Sequence, residues 1–296
     1  MIQQLRKPEN GQVAHDRGDR SAAALLRAAP GAAARWLAVA TAVVGLLGIA
    51  AAVCRFGFGI QHGPIDIIQQ LDLQGEDTLP AWYSSVLLLL AGLLLGIVGW
   101  VKATRRARFV WHWLILGLIF LLLSADETVQ FHERASWPFE RVLKFKGAFL
   151  YGWVIPAILF VGVIGLSYLK FLLHLPRRTR WRFVVAGAVY VGAALGLEML
   201  EGVWDTSHGK DNVVYIAMVV VEEIGEMVGV AIFIHALLLH LRDECGQVTF
   251  DLAPDERSAG ASVDAAARMV TADPPGSAPR DRAAAPAAAQ PDRLGV

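Results

Sequence analysis

The chain has 296 residues, of which 55% are hydrophobic and 18% charged, and its 27 basic and 27 acidic side chains give a formal net charge of zero. That apolar share exceeds what an ordinary soluble domain carries and points to the membrane class. No basic excess is left over for a nucleic-acid surface, so nucleic acid is excluded as a partner and membrane lipid is expected.

Residues 1–34 are polar and carry Arg6, Lys7, Arg17, Arg20 and Arg27. They are too long and too charged for the n-region of a cleaved signal peptide, and read as a cytoplasmic tail before an uncleaved anchor. Apolar runs follow at 36–54, 81–101, 109–125, 148–170, 183–200 and 214–241, each near the roughly 20 residues that cross a bilayer. The expected fold is all-α: a polytopic membrane bundle of about six transmembrane helices occupying residues 35–241. The third and fifth runs are short, so their helices should continue into the polar residues that follow. Residues 242–296 are rich in Ala, Pro, Asp and Arg and poor in aromatic residues. They cannot bury enough surface to offset the entropy of ordering, and read as a disordered cytoplasmic tail.

Loop charges set the expected orientation. Lys102, Arg105, Arg106 and Arg108 separate the second and third runs, and Lys170, Arg177, Arg178, Arg180 and Arg182 separate the fourth and fifth, whereas residues 56–80 hold no Lys or Arg. The positive-inside rule then places both termini in the cytoplasm and the protein in the inner membrane of a cell. Trp36, Trp100, Trp111, Trp113 and Trp181 fall near the inner interface, and Trp82, Trp137, Trp153 and Trp204 near the outer one, as aromatic belts. Cys54 and Cys245 fall on opposite sides, which rules out an intrachain disulfide. Glu140, Arg141, Lys144 and Lys146 read as a solvated amphipathic segment at the outer interface.

Acidic residues concentrate on the outward side. The third run ends in "LLLSADETVQFHERASW", the fifth in "LGLEMLEGVWDTSHG", and the sixth opens with "VVVEEIGEMVGV". Asp126, Glu127, His132, Glu133, Glu198, Glu201, Glu222, Glu223 and Glu226 are thereby candidates for one polar site. Glu198 and Glu201 share a helix face, which Asp205 and His208 extend, and Glu222 shares a face with Glu226 and Gly229. Asp126, Gln130 and Glu133 align, but an ideal helix turns His132 away from Asp126, so His132 joins the group only through a bent helix end. Three ionised carboxylates in the sixth run cost about 8–10 kcal/mol, against about 5–9 kcal/mol gained from its aliphatic and Phe residues. Such glutamates are expected to be protonated, to face the interior or a water-filled vestibule, or to bind cations.

Paired Glu residues on neighbouring helices with a His are the ligand types of carboxylate-bridged metal centres, so all nine residues are candidate ligands for one or two divalent ions of Fe, Mn, Zn or Mg. The chemistry implied is a metal-dependent hydrolase or oxidase acting on a lipid or other membrane-associated substrate. The alternative is a proton- or cation-coupled transporter or channel component. A haem held by His112 and His235 is a minor reading. The ferritin-like Glu-x-x-His signature is absent, which argues against a soluble-type di-iron centre. Nucleotide loops, HExxH, GxSxG and histidine boxes are absent too, which argues against phosphoryl-transfer, zincin, serine-hydrolase and desaturase chemistry; no cofactor-binding residues are assigned. The run "LSADETVQFHE", Leu123 to Glu133, resembles an L-S-x-D-E-x4-H-E motif found in bacterial multi-pass membrane proteins. The resemblance spans about a dozen residues and implies no particular activity.

Overall fold

The structure, a computed structural model, describes residues 30–60, 67–75, 77–132, 134 and 145–245. The expected tails, at 1–29 and 246–296, lie outside the described residues, as do Glu133, Trp137, Glu140, Arg141 and Lys144. Among the described residues every regular element is helical, and six helices are long and apolar enough to cross a membrane. The chain is a multi-pass, all-α membrane protein.

Helix α1 (Pro30–Ala52) runs into a π-helical turn (Val53–Gly57), and the short α2 (Ile67–Gln70) follows. Helices α3 (Leu79–Thr104) and α4 (Val110–Val129) come next, then a 3-10 turn (Gly147–Phe149) and α5 (Val154–His174). Helix α6 (Arg177–Val191) passes through a π-helical segment (Gly192–Leu197) into α7 (Glu198–His208), and α8 (Val213–His240) completes the bundle. Six crossings gather the basic turn at 105–109 and the arginine-rich start of α6 (Arg177, Arg178, Arg180 and Arg182) at the end where α1 starts and α8 finishes. The opposite end, carrying α2 and the α7–α8 turn, is the acidic end.

Local chemistry sets the boundaries. Pro80 sits in the first turn of α3 and Pro156 in that of α5, where a missing backbone N–H has no helical partner to lose. Pro156 thus marks a helix start, and the fourth span begins at Val154 rather than at 148. Asn212 caps α8 by accepting the Tyr215 backbone N–H at 3.0 Å. The third and fifth spans continue through their acidic residues, to Val129 and His208, as their short apolar runs suggest.

Within a bilayer, helices associate through close packing and polar contacts rather than through exclusion of water. Ser85 and Ser124 exchange hydrogen bonds between α3 and α4, each hydroxyl donating to the other's carbonyl at 2.8 Å. Thr41 and Tyr83 pair at 2.9 Å between α1 and α3. At the acidic end the Arg55 guanidinium donates to the Asp72 carboxylate, which is buried and also accepts the Gln74 N–H. Helices α6 and α8 meet backbone to backbone: a Cβ on Gly229 would lie 2.7 Å from the Tyr190 nitrogen. Trp113 departs from its expected belt position. It is buried, stacked on His240 with ring centroids 5.0 Å apart and edge-on to Phe171, because α4 turns this ring into the bundle. Trp36, Trp82, Trp100, Trp111 and Trp181 are exposed along the sides, as belt residues are.

Substituting Gly229→Val should push α8 off α6 and cost about 1–3 kcal/mol, read as a lower midpoint of thermal unfolding in detergent. Gly162→Ala, where an added Cβ meets nothing within 4 Å, should leave that midpoint unchanged.

Candidate functional site

The site begins where α4 stops. Gln130 adopts a left-handed conformation, φ 61°, and its N–H bonds back to the Asp126 carbonyl at 2.7 Å. This turn ends the helix and folds the chain back on itself. His132 then donates its backbone N–H to Asp126 Oδ1 at 3.0 Å, and its Nδ1 lies 2.7 Å from Asp126 Oδ2. The bent end that the spacing of Asp126 and His132 demands is therefore present, and Gln130 makes it. A left-handed non-glycine residue is a local cost, held here by the contacts on either side.

Across the cavity, the π-helical segment Gly192–Leu197 interrupts the fifth span immediately before Glu198. A π turn accommodates an extra residue and changes the rotation of everything after it. Here it presents Glu198 and Glu201 to α8, where Glu222 lies within hydrogen-bonding reach of both. Glu201 and Glu222 are 3% and 7% exposed, so these carboxyl groups are held away from bulk solvent. Glu226, a turn further along α8, lines the same cavity as Glu127, Glu223 and Tyr190.

Aromatic residues join the two halves. Trp153 presents its ring to the edge of His132, centroids 4.9 Å apart, and donates its indole N–H to Glu198 Oε1 at 3.2 Å. Tyr151 donates to Asp205 Oδ2 at 3.3 Å and meets the Tyr215 hydroxyl at 3.0 Å. Burial, reinforced by the hydrogen bond with Tyr215 and by nearby Asp205 and Glu198, pushes the Tyr151 phenol above its ordinary value, so it remains a donor. Lys210 lies 4.0 Å from Asp205 and over the rings of Tyr151 and Tyr215, at 4.9 and 5.8 Å. Gly202 allows this arrangement, since a Cβ there would come within 2.5 Å of the Gly147 carbonyl.

One cavity of about 1090 Å³ holds the group. Asp126, Glu127, His132, Glu198, Glu201, Glu222, Glu223 and Glu226 all line it. Of the nine sequence candidates, only Glu133 lies outside the described residues. The shared stripe on the fifth span divides: Asp205 turns to Tyr151 and Lys210, while His208 stacks on Trp204 with centroids 4.1 Å apart. Among the described residues no three or more His, Cys, Asp or Glu side chains are so placed as to hold one metal ion. His112 packs against Phe109, Tyr168 and Phe171, and His235 lines a separate apolar groove between α1 and α8, so the two do not face a common haem site. Sequence reasoning missed Tyr151, Tyr190, Tyr215 and Lys210, and it read Trp153 only as a belt residue. A Tyr and a Trp two residues apart at the head of a span carry the signal of an interfacial belt, which hides their inward role.

Fold and site together define a six-span helical membrane protein with an acid-lined cavity. The chain belongs to the family described as a domain of unknown function, DUF8692, whose model matches residues 34–241. No curated protein and no solved structure matches it.

The turn at Gln130 can be tested directly. Gln130→Ile, a β-branched residue in the left-handed region, should cost about 1–2 kcal/mol and separate His132 from Asp126. Gln130→Gly should keep both the fold and the pair. Thermal unfolding reads the first effect and the nitrogen chemical shifts of the His132 ring the second.

Proposed function

We propose that this chain is a membrane-embedded enzyme acting on an amphiphile taken from the bilayer, with His132 and Asp126 as its acid–base pair. The observation that carries the reading is the polarity of a single cavity. Asp126, His132 and the glutamates lie at one end of it, while Phe120, Phe160, Val161, Ile164 and Phe233 line the rest. A lipid-like molecule matches that division, with its polar group among the carboxyls and its chain against the apolar wall.

The chemistry favoured is hydrolysis. Asp126 Oδ2 beside Nδ1 fixes the imidazole tautomer, leaving Nε2 as the atom that takes a proton. Water loses a proton to Nε2 as its oxygen bonds to the substrate's electrophilic atom. The bond to the leaving group breaks, and the proton passes from His132 to that group. Tyr151 and the Trp153 indole are donors that can orient oxygen atoms of the substrate. The carboxyl set would take an oxygen-preferring divalent ion of Fe, Mn, Zn or Mg, which supplies activation of bound water when present. Closing on one would require Glu198, Glu201 and Glu222 to draw together with a further ligand.

A second reading, proton- or cation-coupled transport, rests on the succession of carboxyl groups from Glu201 through Glu222 to Glu226. Against it, the cavity wall toward the basic end is mostly apolar, formed by Phe171, Leu172, Phe183 and Phe233, with Tyr168, whose hydroxyl donates to the His112 carbonyl, among them. In both readings the basic end faces the cytoplasm, on the charge of its loops.

Purified protein in nanodiscs should turn over components of a total lipid extract, followed by mass spectrometry. His132→Gln and Asp126→Asn should each slow this by about 10²–10⁴-fold. Equal turnover by wild type and both variants would overturn the assignment. Ion flux in proteoliposomes that depends on Glu222, without lipid turnover, would establish the transport reading instead. Elemental analysis adds the metal: a stoichiometric ion lost in Glu198→Ala or Glu226→Ala supports a metal-assisted step, and full turnover by metal-free protein removes it. For orientation, a membrane-impermeant thiol reagent applied to intact cells should modify Asp211→Cys but not Arg178→Cys in a background without Cys54 and Cys245. The reverse pattern would invert the topology.

A further inference from the structure

Glu201 combines two properties that rarely coexist. It is 3% exposed and lines the cavity, and although Glu222 and Tyr215 lie within reach of its carboxyl group, its Oε1 makes no hydrogen bond. A buried acceptor without a donor is costly, and native structures retain one where a ligand or ion completes it. Its neighbours sharpen the requirement, because Glu222 lies within reach of both Glu198 and Glu201. Three carboxyl groups thus converge from α7 and α8.

Three of the described cations pair with aspartates, although the charge of Lys210 also reaches Glu198 and Glu201. Lys210 faces Asp205 and the rings of Tyr151 and Tyr215, Arg55 pairs with Asp72, and Arg242 with Asp243. No ion pair joins a described Lys or Arg to Glu198, Glu201 or Glu222. The position wants a group that is positive, compact and rich in donors.

We propose that Glu198, Glu201 and Glu222 bind the protonated amine of a single-chain amphiphile whose hydrocarbon lies along the apolar wall of the same cavity. An ammonium carries three N–H donors and no acceptor, which suits a set of carboxyl groups. A hydroxyl brings a single proton, and a phosphate or sulfate head is repelled. Lys210 already shows the cavity mouth receiving an ammonium against carboxylate and aromatic faces. The cavity, about 1090 Å³, slightly exceeds the roughly 300–1,000 Å³ of pockets that enclose small ligands, leaving room for a chain behind the head.

A route for the chain is visible on α5. Its buried residues are Val154 and Phe171, near its two ends. Between them Ala157, Val161 and Ile164 line the cavity, and at Gly162 and Gly165 an added Cβ would meet nothing within 4 Å. Leu159 and Leu166 on the same helix are 69% and 78% exposed on the lipid side. The cavity is thus separated from the bilayer by one thinly packed helix, past which an acyl chain can slide. The proposal rests on the cavity being a substrate chamber and names the head group it selects.

The experiment uses full-length protein in phosphatidylcholine nanodiscs, with radiolabelled hexadecylamine, hexadecanol and hexadecyl sulfate as probes at neutral pH. Hexadecylamine should bind at least about tenfold more tightly than hexadecanol, and the sulfate should not compete. Glu201→Gln and Glu222→Gln should each erase the preference while leaving hexadecanol binding intact, which also shows that the variants are folded. Glu201→Asp, which keeps the charge, should retain it. Equal affinity of wild type for amine and alcohol overturns the amine assignment and leaves the chamber standing. Failure of every chain to bind a protein with a normal unfolding transition overturns both. Manganese or zinc that binds at the three glutamates, with no preference for the amine, replaces the proposed ligand with a metal ion alone.

Discussion

A carboxyl group at membrane depth must find its polar partners inside the protein, because the surrounding hydrocarbon offers none. Several features of this bundle follow from meeting that demand for a whole group of acids at once. Asp126 is served by the backbone and ring of His132, Glu198 by the indole of Trp153, and Glu222 by the carboxyls facing it from α7. Each partner arrives from a different segment. The helices are consequently held at the acidic end by polar contacts, while the core toward the basic end is aromatic and aliphatic, centred on Trp113, Phe171, Phe233 and Leu237.

Geometry that departs from the ideal helix supplies those partners. The left-handed Gln130 returns His132 to a residue six positions earlier, and the π-helical Gly192–Leu197 aims Glu198 and Glu201 at α8. Gly202 and Gly229 permit the close backbone approaches behind them. Regular helix would satisfy its own backbone and leave these acids on unrelated faces. Irregular turns occur elsewhere in the bundle too, at Val53–Gly57 and Leu241–Cys245, but those at Gln130 and Gly192–Leu197 are the ones that orient acids lining the cavity.

Much of this was legible before any coordinates. Runs of about twenty apolar residues identify spans through a coarse and robust signal, and the acidic ends of three of them single out side chains that do line one cavity. Helix spacing also flagged the difficulty at His132, whose return required a bend. What could not be read follows from physics that acts through contacts. Nothing in "GAALGL" separates a π turn from an ordinary apolar helix. Trp113 resembles every other Trp near a span end, and only packing against Phe171 and His240 removes it from the belt. Tyr151 and Tyr215 lie 64 residues apart in the chain, so their contact is invisible to local pattern. The start of the fourth span went astray because hydropathy does not register that a proline belongs in a first turn.

The widened turn between α6 and α7 has a consequence for inheritance. Each residue of a helix turns the chain by about 100°, so shortening Gly192–Leu197 by a single codon would swing Glu198 and Glu201 round to another side while the span stayed long and greasy enough to insert. Loss of the site would then leave no trace in a hydropathy profile or in the roster of acidic residues. Relatives of this chain are better compared by the length of that stretch than by the letters within it.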